Sequence, residues 1–375
     1  MGRRPYTIGI TISLLGLLAG SLGCATPTGP GAGLSDPAAW QRARLFDGKR
    51  YDWLHGAYKV SDGYLIVGVD NHKGILIKLD GDGVTRWVRR YSYTKHDELY
   101  YARETRDGGY AIAGTASGEG ENDGLLIKTG SDGREEWHRI FRGKCNRLRG
   151  LDEIEKGYIL VGSTTGNEFG YVIETDADGR MVADATFGTP GSLDAFYSIA
   201  QIKGGFLLTG CTGGESWSRR YGWALTIDSA LKKRHEKLYP GPAPLFLTSS
   251  VAAPEGGYLL AGMVDCKGYN ACLIKVGPSL GKEWDVTLAG GNNELYPSLF
   301  WDAAGNCNIL SANGSIRNTW ISRITNPASG RRRPRRVKGP PGRFKPPTAR
   351  IAQPGVPADG DPPPTPPSAR HGRGP

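Results

Sequence analysis

A unit of about fifty residues, repeated along most of the chain, limits what this sequence can fold into more than any other feature. Its clearest copy runs from Asp107 to Phe141, DGGYAIAGTASGEGENDGLLIKTGSDGREEWHRIF. Tyr110 to Ala113 and Leu125 to Lys128 are short apolar runs bounded by Gly and Asp, too short for helices and patterned for strands. Asp107-Gly108-Gly109 and Ser131-Asp132-Gly133 are turn signals, because glycine accepts the positive φ that tight hairpins need. Glu136-Trp137 to Phe141 opens another strand, and Glu98 to Ala102 makes a strand entering the Asp107 turn. The unit is a four-stranded meander.

The aromatic that opens the second strand recurs at Tyr64, Tyr110, Tyr158, Phe206 and Tyr258, with Cys307 in that slot of a sixth copy, at spacings of 46, 48, 48, 52 and 49 residues. The third strand recurs at 75–78, 125–128, 171–174, 224–227, 273–275 and 320–323. The aromatic of the fourth strand is Trp87, Trp137 and Trp284, replaced by Ala183 and His235 in copies three and four. The sixth copy lacks a fourth strand, and Trp40 to Phe46 resembles Trp137 to Phe141. An N-terminal strand that completes the last blade is how a β-propeller hides its open edges, whereas an open solenoid has no use for one. The sequence therefore predicts an all-β chain: a six-bladed β-propeller of four-stranded antiparallel blades over 40–325, closed by the N-terminal strand.

In copy two, Gly108-Gly109-Tyr110, Gly114, Ile127-Lys128, Asp132-Gly133 and Trp137 form a pattern that resembles the repeats of secreted propeller lipoproteins of bacteria and archaea. The resemblance covers residues 40 to 325. It implies an exported propeller and no particular activity.

The flanks differ from the repeats. Residues 1–24 read as a signal peptide, with Arg3 and Arg4 ahead of an apolar run from Ile8 to Leu22 that is short for a membrane span. Ser21-Leu22-Gly23-Cys24 resembles a lipobox, with Leu22 two residues before the Cys rather than the usual three. Lipidation of Cys24 would anchor the protein to a membrane of the cell envelope, and ordinary cleavage near Ala25 would release it. Residues 25–39 form a Gly- and Pro-rich tether. Residues 326–375 hold 14 of the 25 Pro and 11 Lys and Arg against two Asp, which accounts for nine of the ten net positive charges. Such a tail reads as disordered, able to touch acidic surfaces, and the propeller itself is near neutral.

In a propeller the fourth-to-first and second-to-third connections share one face around the channel mouth. The long loops of this chain, at 93–97, 116–123, 212–220 and 291–293, fall there. Twelve residues before each second-strand aromatic stand Asp52, Glu98, Asn146, Asp194 and Phe246, with Glu294 thirteen before Cys307. Asp52, Glu98, Asp194 and Glu294 could ring the mouth, holding a cation or acting as acid and base, or could cap strand starts. Trp53, Tyr100, Tyr101, Tyr197, Tyr296 and Trp301 could stack on sugars or pack between blades. Asp80-Gly81-Asp82-Gly83 starts like a calcium loop but lacks the later carboxylate, and reads as a tight turn.

Cys266 and Cys272 bracket a hairpin and are expected to form a disulfide, Cys145 and Cys211 fall on the same face, and Cys307 should be a buried thiol. No CxxC appears and the six His are scattered, so no metal-ligand spacing and no cofactor are predicted. The function expected is that of an exported, monomeric binding module for a protein or glycan at the loop face. The alternative is a glycan hydrolase or lyase using mouth carboxylates.

Overall fold

The computed structural model describes residues 40–47, 53–118, 122–167, 169–213, 219–241, 243–265, 269–288, 294–303, 305–313 and 318–324. The signal peptide with Cys24, the tether, the basic tail, Asp52 and Cys266 lie outside them. The chain divides into two units, Met1–Gly330 and Arg331–Pro375, and every described residue belongs to the first.

The strands in chain order are β1 (Trp40–Asp47), β2 (Trp53–Val60), β3 (Gly63–Asp70), β4 (Lys73–Leu79), β5 (Thr85–Tyr91), β6 (His96–Glu104), β7 (Tyr110–Ser117) and β8 (Asn122–Thr129). Then come β9 (Glu135–Phe141), β10 (Cys145–Ile154), β11 (Gly157–Thr164), β12 (Gly170–Asp176), β13 (Met181–Phe187), β14 (Ala195–Ile202), β15 (Gly205–Thr212) and β16 (Tyr221–Asp228). The last are β17 (Lys233–Tyr239), β18 (Leu245–Ala252), β19 (Tyr258–Asp265), β20 (Tyr269–Val276), β21 (Lys282–Leu288), β22 (Glu294–Trp301), β23 (Cys307–Asn313) and β24 (Asn318–Ile324). The protein is an all-β propeller of four-stranded antiparallel blades. Five blades are consecutive meanders, β2–β5, β6–β9, β10–β13, β14–β17 and β18–β21. The other four strands form a sheet in the order β1-β24-β23-β22, in which Trp40 pairs with Ile324 and Asp47 with Asn318.

The middle strands are apolar throughout because both of their faces are covered. Leu65, Val67 and Leu76 of blade one pack with Leu99, Ile112, Leu125 and Ile127 of blade two. Tyr64, Ile66, Ile75 and Ile77 turn the other way, in a cluster that includes Leu310 of β23. The Lys of the Ile-Lys motif is buried at Lys78, Lys128 and Lys275. Its ammonium reaches the first hairpin of its own blade, at Asp62 (2.5 Å), Asp107 (2.8 Å) and the Gly256 carbonyl (2.8 Å). The apolar stem fills the core while the charge ties down a turn.

The Asp-Gly turn and the Trp of the fourth strand meet between blades. Trp87 lies 5.9 Å from Tyr110 of the next blade, and Trp137 lies 5.9 Å from Tyr158. A Cβ on Gly133 would stand 2.6 Å from Trp87, and one on Gly179 would stand 2.5 Å from Trp137. Both glycines sit at positive φ, +75° and +76°, and donate to a carbonyl three residues back. Copies three and four lack the Trp yet keep their outer strands β13 and β17, and the turn that follows each carries a leucine in place of the glycine. Where blade three has Ala183, the turn of blade four has Leu231. Where blade four has His235, the turn of blade five has Leu280. Both leucines occupy the same left-handed turn position, at φ +58° and +65°, and both are buried. Tyr239 of β17 donates to the Leu280 carbonyl at 2.8 Å, as Tyr91 of β5 does to Gly133 at 2.7 Å.

Leu280→Gly should therefore destabilise the protein by about 2 kcal/mol, the cavity cost less the relieved backbone strain. Adding His235→Trp should recover part of that loss, and urea denaturation of the two single variants and the double variant measures the coupling.

Candidate functional site

Each innermost strand carries a β-bulge near its start, and the bulge falls at one equivalent place. The register slips between Leu54 and Gly56, Leu99 and Tyr101, Leu148 and Gly150, Phe196 and Ser198, Leu247 and Ser249, and Leu295 and Ser298. The bulged residues are His55, Tyr100, Arg149, Tyr197, Thr248 and the pair Tyr296-Pro297. A bulge leaves a residue out of the ladder and re-aims its side chain.

Five of these side chains make a closed circuit. The His55 and Tyr100 rings are 4.6 Å apart. The Arg149 guanidinium lies over the rings of Tyr100 and Tyr197, at 5.8 and 4.7 Å. Tyr197 and Tyr296 are 6.0 Å apart, and Tyr296 is 6.2 Å from His55. The circuit crosses blades one to four and β22, so it lies where the innermost strands converge. Tyr296 is held there at φ +46°, a left-handed backbone that a bulky residue rarely adopts. Farther along the same strands lies a cavity of about 480 Å³, lined from all six innermost strands by Tyr58, Arg103, Asp152, Ser198, Thr248 and Ser298 among others. Arg103 and Asp152 form an ion pair there.

On the other side of the circuit, two residues before the bulge, stand Trp53, Glu98 and Arg147. Tyr100 donates its hydroxyl proton to Glu98 at 2.5 Å, His96 Nε2 lies 2.6 Å from the other carboxylate oxygen, and His55 Nε2 lies 3.2 Å away. Burial pulls the Glu98 carboxyl upward, but the contacts with His55, Tyr100 and His96 outweigh it and hold the group well below the usual carboxylate range. Burial also lowers His55, which stays neutral against the pull of Glu98. His72 continues the chain, with its Nδ1 2.8 Å from His96 Nδ1.

Asp194 does not join Glu98. It is fully buried and accepts bonds from the Thr212 hydroxyl (2.6 Å) and the Thr189 amide (3.1 Å), tying the loop that enters β14. Burial raises its carboxyl despite these bonds. Its counterpart in blade two is Asp97, which accepts from the amides of Tyr93 (2.6 Å) and Thr94 (3.1 Å). Counting twelve back therefore misaligned the blades. Glu104 and Tyr110, Ala252 and Tyr258, and Trp301 and Cys307 pair around five residues, whereas Lys59 and Tyr64, Glu153 and Tyr158, and Gln201 and Phe206 pair around four. One residue of difference puts a side chain on the other face. Of the carboxylate ring expected of Asp52, Glu98, Asp194 and Glu294, the described side chains Glu98 and Asp194 therefore stand at different positions of their blades. Asp52 is outside the described residues, as is the side chain of Glu294, which opens β22. Among the described residues no group of three or more His, Cys, Asp or Glu is placed to hold a metal ion.

Of the predicted aromatics, Tyr100, Tyr197 and Tyr296 belong to the circuit and Trp53 is 39% exposed beside it. Tyr101 packs on Tyr58, at 4.4 Å, and Trp301 donates to the Ala252 carbonyl at 3.0 Å. The Asp80 segment is a turn, in which the carboxylate accepts from the amides of Asp82 and Val84. Cys145, Cys211, Cys272 and Cys307 are free, buried thiols. The expected Cys266–Cys272 bridge gives way because Cys272 pairs with Gly262, well inside its strand, and packs against Leu245, Leu247 and Val264. Burial pushes the thiols of Cys145, Cys272 and Cys307 up to about 12 and that of Cys211 to about 11, which keeps them unreactive. Position in the bulge was the signal that separates Tyr100, Arg149 and Tyr197 from ordinary strand residues, and only strand pairing exposes it.

No family model and no curated protein matches the sequence. Solved structures do resemble the fold. A protein of unknown function from Dyadobacter fermentans has a TM-score of 0.55 at 12% identity, covering 77% of this chain and all of its own. The neuraminidase-like protein of A/little yellow-shouldered bat/Guatemala/060/2010 has a TM-score of 0.50 at 11% identity, covering 77% of this chain and 98% of its own. A glucose dehydrogenase has 0.46 at 9%, covering 76% and 99%. At such identities the likeness is one of fold alone.

Stability should fall on acidification in two stages. With His55 held below the ordinary 6.5, the unfolded chain binds the extra proton first, so stability drops as pH falls below 6.5. Glu98, held below its ordinary 4.5, adds a further loss below that value. Urea midpoints from pH 7 to 4 should show both stages, and His55→Gln should flatten the upper one.

Proposed function

We propose that this protein is an exported binding module. Its ring is closed as a six-bladed propeller by the pairing of β1 with β24, and it presents the mouth face to a glycan or protein. The pairing along β1 supports the closure, as does the Ser298 hydroxyl, which donates to the Ala57 carbonyl at 2.5 Å and so joins β22 to β2. The lipobox-like end of the signal peptide supports anchoring through Cys24 to a membrane of the cell envelope.

The state of Glu98 carries the choice of binding over hydrolysis. A two-carboxylate glycosidase needs one carboxyl that keeps a proton near neutral pH. Glu98 is instead held ionised by three neighbours, and Asp194 is engaged in a loop. What the circuit and the residues before it offer a ligand is donors and ring faces: Arg147, Arg149, Tyr296 and the exposed Trp53. Such a set recognises a ligand by stacking and charge.

A glycan array probed with the full mature protein tests this reading. Binding to a restricted set of glycans, weakened at least tenfold by Trp53→Ala, is the expected result. A blank array together with release of reducing sugar from those glycans would replace the binding reading with the hydrolytic one. Intact-mass analysis of the cellular protein should show a diacylglyceryl mass on Cys24, and Cys24→Ala should move the protein out of the membrane fraction.

A further inference from the structure

Among the described residues, Arg149 is a buried cation without an anion. Its side chain is 8% exposed, and neither Nε nor Nη1 has a hydrogen-bond partner. It forms no ion pair with a described carboxylate. Arg147, two residues before it on β10, has a buried and equally unpartnered Nε. The rings of Tyr100 and Tyr197 lie against the guanidinium, but a ring face only offsets part of the charge and leaves the N–H groups at the edge unmet. Buried donors are almost always satisfied, and a buried charge is paired unless a ligand completes it.

We propose that Arg149 and Arg147 form an oxyanion subsite, with Arg149 taking the anion at its unpartnered N–H groups. Two sources share this chemistry: the carboxylate of an acidic sugar and a free inorganic oxyanion such as phosphate. An oxyanion can present separate oxygens to the Nε–H and Nη1–H groups of one guanidinium, which a halide cannot. The sugar is favoured because Tyr296, in the same circuit, and Trp53, 39% exposed two residues before His55, supply partly open ring faces. Glu98 does not compete for the site, since its contacts go to His55, His96 and Tyr100. The proposal rests on the binding reading above for the identity of the sugar and on the two arginines alone for the anion.

Thermal shift and calorimetry on the full chain test it, with glucuronate, inorganic phosphate, glucose and chloride compared at one ionic strength. Glucuronate should raise Tm by several degrees at millimolar concentration while glucose and chloride do not. A rise with phosphate alone would also support the subsite and would assign it to a free anion. Arg149→Lys should weaken binding at least tenfold, since it keeps the charge and loses the paired donors. Arg149→Leu should abolish binding while leaving the ligand-free Tm equal to or above that of the parent, because it removes an unmet charge. Should Arg149→Leu fail to fold, Arg149→Lys and Arg147→Gln carry the test. No rise with either oxyanion, an equal rise with chloride, or binding unchanged in Arg149→Lys would overturn the proposal. A blank glycan array with an intact phosphate response would sink the glycan reading and spare the subsite.

Discussion

The fold depends on how the back of one blade fits the turn of the next. A four-stranded sheet of this size cannot bury both faces of its middle strands alone, so every blade needs two neighbours. The contact that sets their spacing is made between the fourth strand and that turn. A tryptophan on the fourth strand meets a glycine in the following turn at Trp87 and Gly133 and at Trp137 and Gly179. Where the tryptophan is replaced by Ala183 or His235, both exposed, the following turn carries a buried leucine, Leu231 or Leu280. The backbone of the turn hardly changes, and leucine is held in a conformation usually left to glycine. Packing across the interface has overridden local preference, which is how a repeat can lose its signature residue and keep its shape.

The bulge then converts a regular array into a site. Antiparallel ladders pin every side chain to one of two faces, and in this protein both faces are taken up by neighbouring blades. An unpaired residue is the way to send a side chain toward the axis without opening the core. Repeating the irregularity at one height on each innermost strand collects His55, Tyr100, Arg149, Tyr197 and Tyr296 in mutual contact. The chemistry of the centre is therefore set by residues that the rest of the fold does not need.

Much of the architecture could be read from the sequence, because turns and strand lengths are local. The period, the Asp-Gly turns, the buried Ile-Lys strands and the pairing partner of Trp40–Asp47 all follow from patterns a few residues long. The centre could not be read the same way. Its residues are of mixed type and their positions depend on which residue leaves the ladder. A fixed count from the second-strand aromatic put Glu98 and Asp194 at equivalent places, when Asp194 matches Asp97. A single residue in the hairpin length decided the difference. Two of the six histidines, His55 and His96, meet Glu98, and a third, His72, reaches His96 because the second-to-third hairpin of blade one approaches the start of β6.

The sheet that unites β1 with β24 has a consequence for synthesis. Trp40 is made early and its partner Ile324 almost three hundred residues later. Until then the first strand has no ladder to join, and the chain waits with a bare edge while blade after blade assembles. Local hairpins can form in any order, but this one long-range step must come last, and long-range pairing is slow. A chaperone that shields a solitary strand would act on residues 40 to 47, and premature pairing between two such strands would join separate molecules at that point.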